Sequence, residues 1–168
     1  MRQFLDSCKL LWQPLVITAT VYVAWLLSAP MRLGFVADVG ALTSGTIPIL
    51  AIAYAIIAGL LLQKVILEWF ELEHAARTEN KPKFLEYVHR QLPTTVYMLL
   101  WIISSAPIGA FFLVSFSSLV TGSFSIIVIT FVITTVNATI TDLDDYFSGV
   151  WNIDINTLPK EWRDELKK

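Results

Sequence analysis

Residues 47–62 read IPILAIAYAIIAGLLL and contain no charged side chain, and residues 63–67 (QKVIL) continue the apolar pattern past one glutamine and one lysine. An α-helix needs ~20 mainly apolar residues to cross the ~30 Å hydrocarbon core of a bilayer. The segment 47–67 has this length. It therefore predicts a membrane-spanning helix rather than the core helix of a soluble domain.

Three further segments share this apolar character. They cover residues 10–29, 95–119 and 124–140, and none has a charged residue in its central part. The 168-residue chain is 55% hydrophobic and 15% charged, against ~25% charged residues in an average soluble domain. The sequence thus predicts an all-α, polytopic membrane protein with four transmembrane helices, forming a single membrane domain over residues 1–168.

The basic residues predict how the spans are oriented. Of the 12 Lys and Arg residues, only Arg32 lies in a connection on the far side. The others precede span one, lie at the inner end of span two (Lys64) or between spans two and three, or follow span four. Cytoplasmic loops carry an excess of Lys and Arg. We therefore expect a multi-pass protein of the inner (plasma) membrane with both termini in the cytoplasm and cytoplasmic segments at 68–94 and 141–168. A tight turn around Gly122 should join spans three and four.

The segment 68–94 predicts a short cytoplasmic helical extension between spans two and three. Its apolar and acidic residues continue the helix of span two to about Arg77. The sequence Asn80-Lys81-Pro82 then favours a break, because such residues punctuate helices. A short amphipathic helix over 83–91 should lead into span three.

The sequence offers no pattern for catalysis, a cofactor or a metal. Cys8 is the only cysteine, so neither an internal disulfide nor a zinc cluster is expected. Glu71 with His74, and Glu86 with His89, are spaced like carboxylate–histidine metal pairs, but such pairs are also common on solvated helix surfaces. The net charge of −2 gives no basic excess for nucleic acid. We expect no catalytic residue, no metal, no cofactor and no nucleic-acid partner; the bilayer is the expected environment.

Spans three and four carry polar side chains at helical spacing, and polar groups inside a membrane generally turn away from lipid. They can bond to other helices or to carbonyls of their own helix, or they can line a hydrated path through an oligomer. The candidate pore-lining residues are Ser104, Ser115, Ser118, Thr130, Thr134, Asn137 and Thr141.

Spans one and two carry small residues at four-residue intervals. Small residues let membrane helices approach closely, since lipid provides no hydrophobic gain for helix association. We expect these two rows to face each other or a neighbouring subunit. The rows are Thr20, Ala24 and Ser28 in span one, and Ala51, Ala55 and Gly59 in span two.

The segment after span four, residues 141–149 (TDLDDYFSG), is the most distinctive of the chain. It places the carboxylates of Asp142, Asp144 and Asp145 at the C-terminal end of a helix, where the helix dipole favours cations. Either these carboxylates are solvated at the interface, or they meet a cation or a basic partner at a cytoplasmic mouth.

This segment resembles the end of the bestrophin-like membrane proteins, a group of mostly uncharacterised bacterial proteins. Asp144, Phe147, Ser148 and Gly149 match a stretch that closes the last span in that group, and Tyr146 stands where proline is usual. The resemblance covers about Tyr97–Leu158. True bestrophins are pentameric anion channels with a large cytoplasmic portion and an acidic calcium clasp. The chain is too short for such a large cytoplasmic portion, and the acidic run Asp142–Asp145 should not be taken for that clasp.

Two functions follow as hypotheses. The first is a homo-oligomeric membrane protein with channel-like ion conduction, whose acidic mouth would favour cations rather than anions. The alternative is a structural or accessory subunit of a larger membrane complex. That subunit would dock through the small-residue rows and a tail containing Trp151 and Trp162.

Overall fold

The computed structural model describes residues 2–30, 45–90, 92–114, 116, 118–147, 150, 153 and 157–166, with backbone only at 2–9, 164 and 165. These residues form helices and no strand, which confirms the all-α prediction. The helices are α1 (Arg2–Leu27), α2 (Ile47–Arg77), α3 (Lys81–Val88), α4 (Thr94–Phe111), α5 (Leu119–Asp144) and α6 (Lys160–Glu165).

Four of these helices, α1, α2, α4 and α5, are long and apolar enough to cross a membrane. Their outward faces carry large apolar side chains; Ile49, Leu60 and Ile102, for example, are each about two-thirds exposed. A soluble protein of this size would bury such residues against a second layer. The length and composition of these four helices thus confirm that the chain is compatible with a multi-pass membrane protein.

The helix boundaries differ from the expected ones between spans three and four. α4 ends at Phe111 and α5 already begins at Leu119. The expected turn at Gly122 is wrong, because Gly122 lies inside α5. A glycine is needed there for packing: a Cβ atom at this position would lie 2.8 Å and 2.9 Å from two ring carbons of Trp25.

α1 packs along α5 through this same tryptophan. Trp25 is only 1% exposed, and its indole N–H donates to the carbonyl oxygen of Phe111 at 3.3 Å. The hydroxyl of Tyr22 donates to Ser123 Oγ, also at 3.3 Å. The indole therefore occupies the space that Gly122 leaves and connects α1 to the end of α4.

The main core lies between α2, α4 and α5. These helices pack against one another through buried apolar side chains, and Val65 and Ile140 are fully buried there. The cluster consists of Tyr54, Ala58, Val65, Leu92, Leu100, Ile133, Ile140 and Leu143.

A second core lies at the polar end of the bundle, which we define as residues 68–90 and the described part of 145–166. The ring centroids of Phe84 and Trp162 lie 5.1 Å apart. Phe84 has no exposed surface and Trp162 is 5% exposed, so the C-terminal tail is packed on α3. The other buried residues of this core are Leu72, Ala75, Tyr146, Ile153 and Leu158.

α2 runs without interruption to Arg77 and α3 begins at Lys81, which confirms the predicted break around Asn80. Two backbone bonds close the end of α2: the N–H of Asn80 donates to Ala75 O at 2.9 Å, and that of Glu79 donates to Ala76 O at 3.3 Å. This pair of bonds defines a Schellman cap, which needs a residue with positive φ. Glu79 supplies it, with a φ of 53°.

Candidate functional site

A polar network lies in the middle of the bundle and joins α2, α4 and α5. Asn137 has no exposed surface; its amide N–H donates to Ser104 Oγ at 3.0 Å and its side-chain oxygen accepts from Tyr54 OH at 3.0 Å. The Tyr54 hydroxyl also lies 3.1 Å from Ile133 O, and Ser104 Oγ donates to Trp101 O at 2.9 Å. The side-chain amide is thus partnered on both sides by groups of the same chain.

Two threonines of α5, Thr134 and Thr141, donate hydrogen bonds to carbonyl oxygens of their own helix. Thr130 and Thr134 are 0% and 1% exposed, and Thr134 Oγ1 donates to the carbonyl oxygen of Thr130 at 2.7 Å. Thr141 is exposed, and its hydroxyl donates to Asn137 O at 2.9 Å. These are bonds to the carbonyl one turn earlier, as threonine often makes in a helix.

The structure therefore brings together only part of the expected pore lining. Ser104 and the buried residues of α5 lie inside one chain, whereas Thr141 lies on its surface. Ser118 is half-buried just before α5, and Ser115 lies outside the described residues. A pore lining stays a prediction; Ser104, Thr134 and Asn137 have hydrogen-bond partners within the chain, whereas the buried hydroxyl of Thr130 has none among the described residues.

Asp144 is a structural carboxylate rather than a group that faces a mouth. It is 4% exposed, and its two oxygens accept the backbone N–H of Leu92 at 3.1 Å and 3.0 Å. The hydroxyl of Tyr97 donates to the same carboxylate. Leu92 lies two residues before α4 and Tyr97 lies in its first turn, so the carboxylate at the end of α5 holds the start of α4, where the helix dipole favours a negative charge. The expected exposure of Asp144 at a mouth is therefore corrected.

The other two carboxylates of the acidic segment lie further outward. Asp142 is half-buried and accepts the N–H of Val150 at 2.9 Å and 3.0 Å, which holds the chain that follows α5. Asp145 is exposed and accepts the N–H of Phe147 at 3.4 Å. The three carboxylates thus point to three different places. Ser148 and Gly149, the end of the motif, lie outside the described residues.

Tyr146, at the place where the bestrophin-like motif has proline, is a core residue of the polar end. It has no exposed surface, and its backbone oxygen accepts the N–H of Ile153 at 2.9 Å. Burial raises the pKa of its phenol well above the ordinary value. Tyr146 therefore stays a neutral side chain that anchors the tail.

The two small-residue rows do not meet within the chain. Ala24 and Thr20 of α1 are exposed, while α1 packs on α5; in α2, Ala55 and Gly59 are exposed as well. A Cβ atom on Gly59 would meet nothing within 4 Å. Of the two alternatives, mutual packing is not realised here, and contact with a neighbouring subunit stays a prediction. Ser28 and Ala51 are half-buried at the borders of these rows.

The tail does not present Trp162 for docking, because that side chain is buried against Phe84; Trp151 lies outside the described residues.

Tyr54 and Leu92 are not among the site residues expected from sequence. The signals that could have found them are a phenol in the centre of an apolar span and a backbone amide directly before Pro93, the residue that precedes α4.

No protein-family model, curated protein or solved structure matches this chain. The resemblance to bestrophin-like proteins thus stays a prediction that rests on the quoted motif, and function has to be argued from the geometry.

Proposed function

We propose that the chain is a multi-pass membrane protein that works as a structural subunit and assembles with other membrane helices. The observation that carries this proposal is the closed network of Tyr54, Ser104 and Asn137. Its members hydrogen-bond to one another inside the chain, so their role is to hold α2, α4 and α5 together. Interhelical hydrogen bonds of this kind help membrane helices to associate.

The placement in the bilayer is supported by the outward faces of the long helices and by the positions of the charges. The basic segment 77–90 lies at the same polar end as Lys160 and Arg163 of α6, because the tail packs on α3. Positive charge gathers on the cytoplasmic side of membrane proteins. The polar end is therefore the cytoplasmic end in this proposal, and the plasma membrane is the location.

The surface proposed for assembly is the row Ala51, Ala55 and Gly59 on α2. Two of its members are exposed, and the space beside Gly59 is open. In lipid, an exposed row of small residues is worth little unless another helix packs against it. This row can accept a helix of a second copy or of a larger complex.

The test is the substitution Gly59→Leu, with Gly109→Leu as its matched control. Both glycines lie in helices, and a Cβ atom added to either would meet nothing within 4 Å, so both variants should fold equally well. The assembly state of the full chain is measured by native mass spectrometry after extraction in mild detergent. We expect Gly59→Leu to shift the assembly towards the single chain and Gly109→Leu to leave it unchanged. Assembly of both variants as in the wild type would refute the proposed surface.

Ion flux separates this proposal from the channel hypothesis. Purified protein in liposomes should pass ions no faster than empty vesicles do, across several salts and pH values. Flux well above that of empty vesicles would overturn a purely structural role and return the channel hypothesis to first place.

A further inference from the structure

A cavity of about 340 Å³ lies at the polar end between the last turns of α2 and the face of α3. Its walls include Phe70, Glu71, His74, Thr78, Lys83 and Tyr87. This volume lies at the lower end of the ~300–1,000 Å³ of small-molecule sites. It suits a polar headgroup rather than a whole lipid.

The walls of the cavity are held in place by the fold. The side chain of Asn80 caps α3 by accepting the N–H of Lys83 at 3.4 Å, and the Schellman cap at Glu79 sets the angle between α2 and α3. On its opposite side α3 is fixed by Phe84, which is packed on Trp162. The cavity is therefore a preformed feature of two tethered helices.

The cavity carries both an acid and basic donors. Glu71 and Tyr87 both line the cavity, and the proximity of the Glu71 carboxylate raises the pKa of the Tyr87 phenol. Lys83 makes no ion pair with any described residue, and the imidazole of His74 is exposed. A ligand with one anionic and one cationic group complements such walls.

The depth of the cavity points to the source of that ligand. If α2 enters the hydrocarbon at Ile47, ~20 residues bring it to Leu67 at the opposite boundary. Glu71 lies one turn further on, about 6 Å beyond that boundary at 1.5 Å per residue. This is the depth of the lipid headgroups, and the exposed ring of Phe70 forms part of the cavity wall.

We propose that this cavity binds the headgroup of a phosphatidylethanolamine lipid from the cytoplasmic leaflet. Lys83 and His74 hold the phosphate, and the carboxylate of Glu71 accepts N–H bonds from the primary ammonium. A quaternary choline has no N–H to donate and a glycerol headgroup has no cation, so both fit less well. This inference rests on the membrane placement proposed above.

The test is lipid binding by the full chain in detergent, measured by native mass spectrometry with added phosphatidylethanolamine, phosphatidylcholine or phosphatidylglycerol of identical acyl chains. The wild type should prefer the ethanolamine lipid. Lys83→Gln should weaken binding of all three lipids about tenfold, because each carries the phosphate and loses one charge-assisted bond. Glu71→Gln should weaken binding of the ethanolamine lipid alone. Lys160→Gln, an exposed lysine outside the cavity, is the control and should change nothing.

Equal binding of all three lipids by the wild type, or an effect of Lys83→Gln no larger than that of Lys160→Gln, would overturn the lipid site. The same spectra report the assembly state. An assembled protein without headgroup preference refutes the lipid site alone, and a single chain with that preference refutes the proposed assembly alone.

Discussion

The contact between Gly122 and Trp25 allows the packing of α1 to be tested with a single methyl group. In Gly122→Ala the new Cβ would lie 2.8 Å from the nearest ring carbon of Trp25 and 3.0 Å from a ring carbon of Phe116. Ordinary contact begins at 3.4 Å, so the indole has to move by about 0.6 Å. It is buried and hydrogen-bonded to Phe111, and cannot make this shift without disturbing α4.

Overpacking of this kind costs ~1–3 kcal/mol. Replacing a helical glycine by alanine returns up to ~1 kcal/mol through helix propensity. We therefore expect Gly122→Ala to lower the free energy of unfolding by about 1 kcal/mol, and Gly109→Ala, where the space is open, to raise it by up to ~1 kcal/mol. Equilibrium unfolding in mixed detergent micelles measures both.

A double-mutant cycle isolates the clash. The two closest atoms belong to the outer ring of the indole, which phenylalanine lacks. In a Trp25→Phe background, Gly122→Ala should therefore lower the free energy of unfolding by less than it does in the wild type. If Gly122→Ala and Gly109→Ala stabilise the protein equally, α1 does not pack on α5 as described.

Three further predictions concern the polar end and the acidic segment. Asp144→Asn should lower the free energy of unfolding by about 2 kcal/mol, as expected for lost bonds to a charged group; an unchanged unfolding curve would show that the carboxylate does not hold Leu92 and Tyr97. Glu79→Gly should raise the free energy of unfolding by about 1 kcal/mol, because glycine adopts positive φ without strain, whereas Glu79→Ala should not; equal effects of the two variants would point to the lost charge instead. Trp162→Ala should release the tail from α3 and speed its cleavage in limited proteolysis, and a tail as resistant as that of the wild type would contradict the second core.

The four long helices can be predicted from sequence because apolar runs of this length have few alternatives. The extension of α2 and the break at Asn80 can be predicted as well, since periodicity and turn residues are local signals. The start of α5 cannot be placed in this way, because a glycine between two apolar runs is typical of a turn. The actual reason for Gly122, the indole of Trp25 about a hundred residues earlier, is a contact between distant parts of the chain that no local pattern reports.

The polar face of α5 shows a different limit of prediction from sequence. Spacing puts Thr130, Thr134 and Asn137 on one side of the helix, and all three are buried. Periodicity gives the direction of a face relative to its own helix, but not what lies opposite. Here the opposing groups are Tyr54 and Ser104, and only the position of α2 and α4 relative to α5 identifies them.

Cysteine accessibility shows whether the network around Asn137 is closed to water. In a Cys8→Ser background, cysteine is placed at Asn137, at Thr134 and, as an exposed control on the same helix, at Thr141. Membranes containing each variant are treated with a charged, water-soluble thiol reagent. We expect rapid modification at position 141 and none at 134 or 137, because the latter two positions are buried in the interior of the chain. Modification at 137 as fast as at 141 would show that water reaches the network, and would contradict the structural role assigned to it.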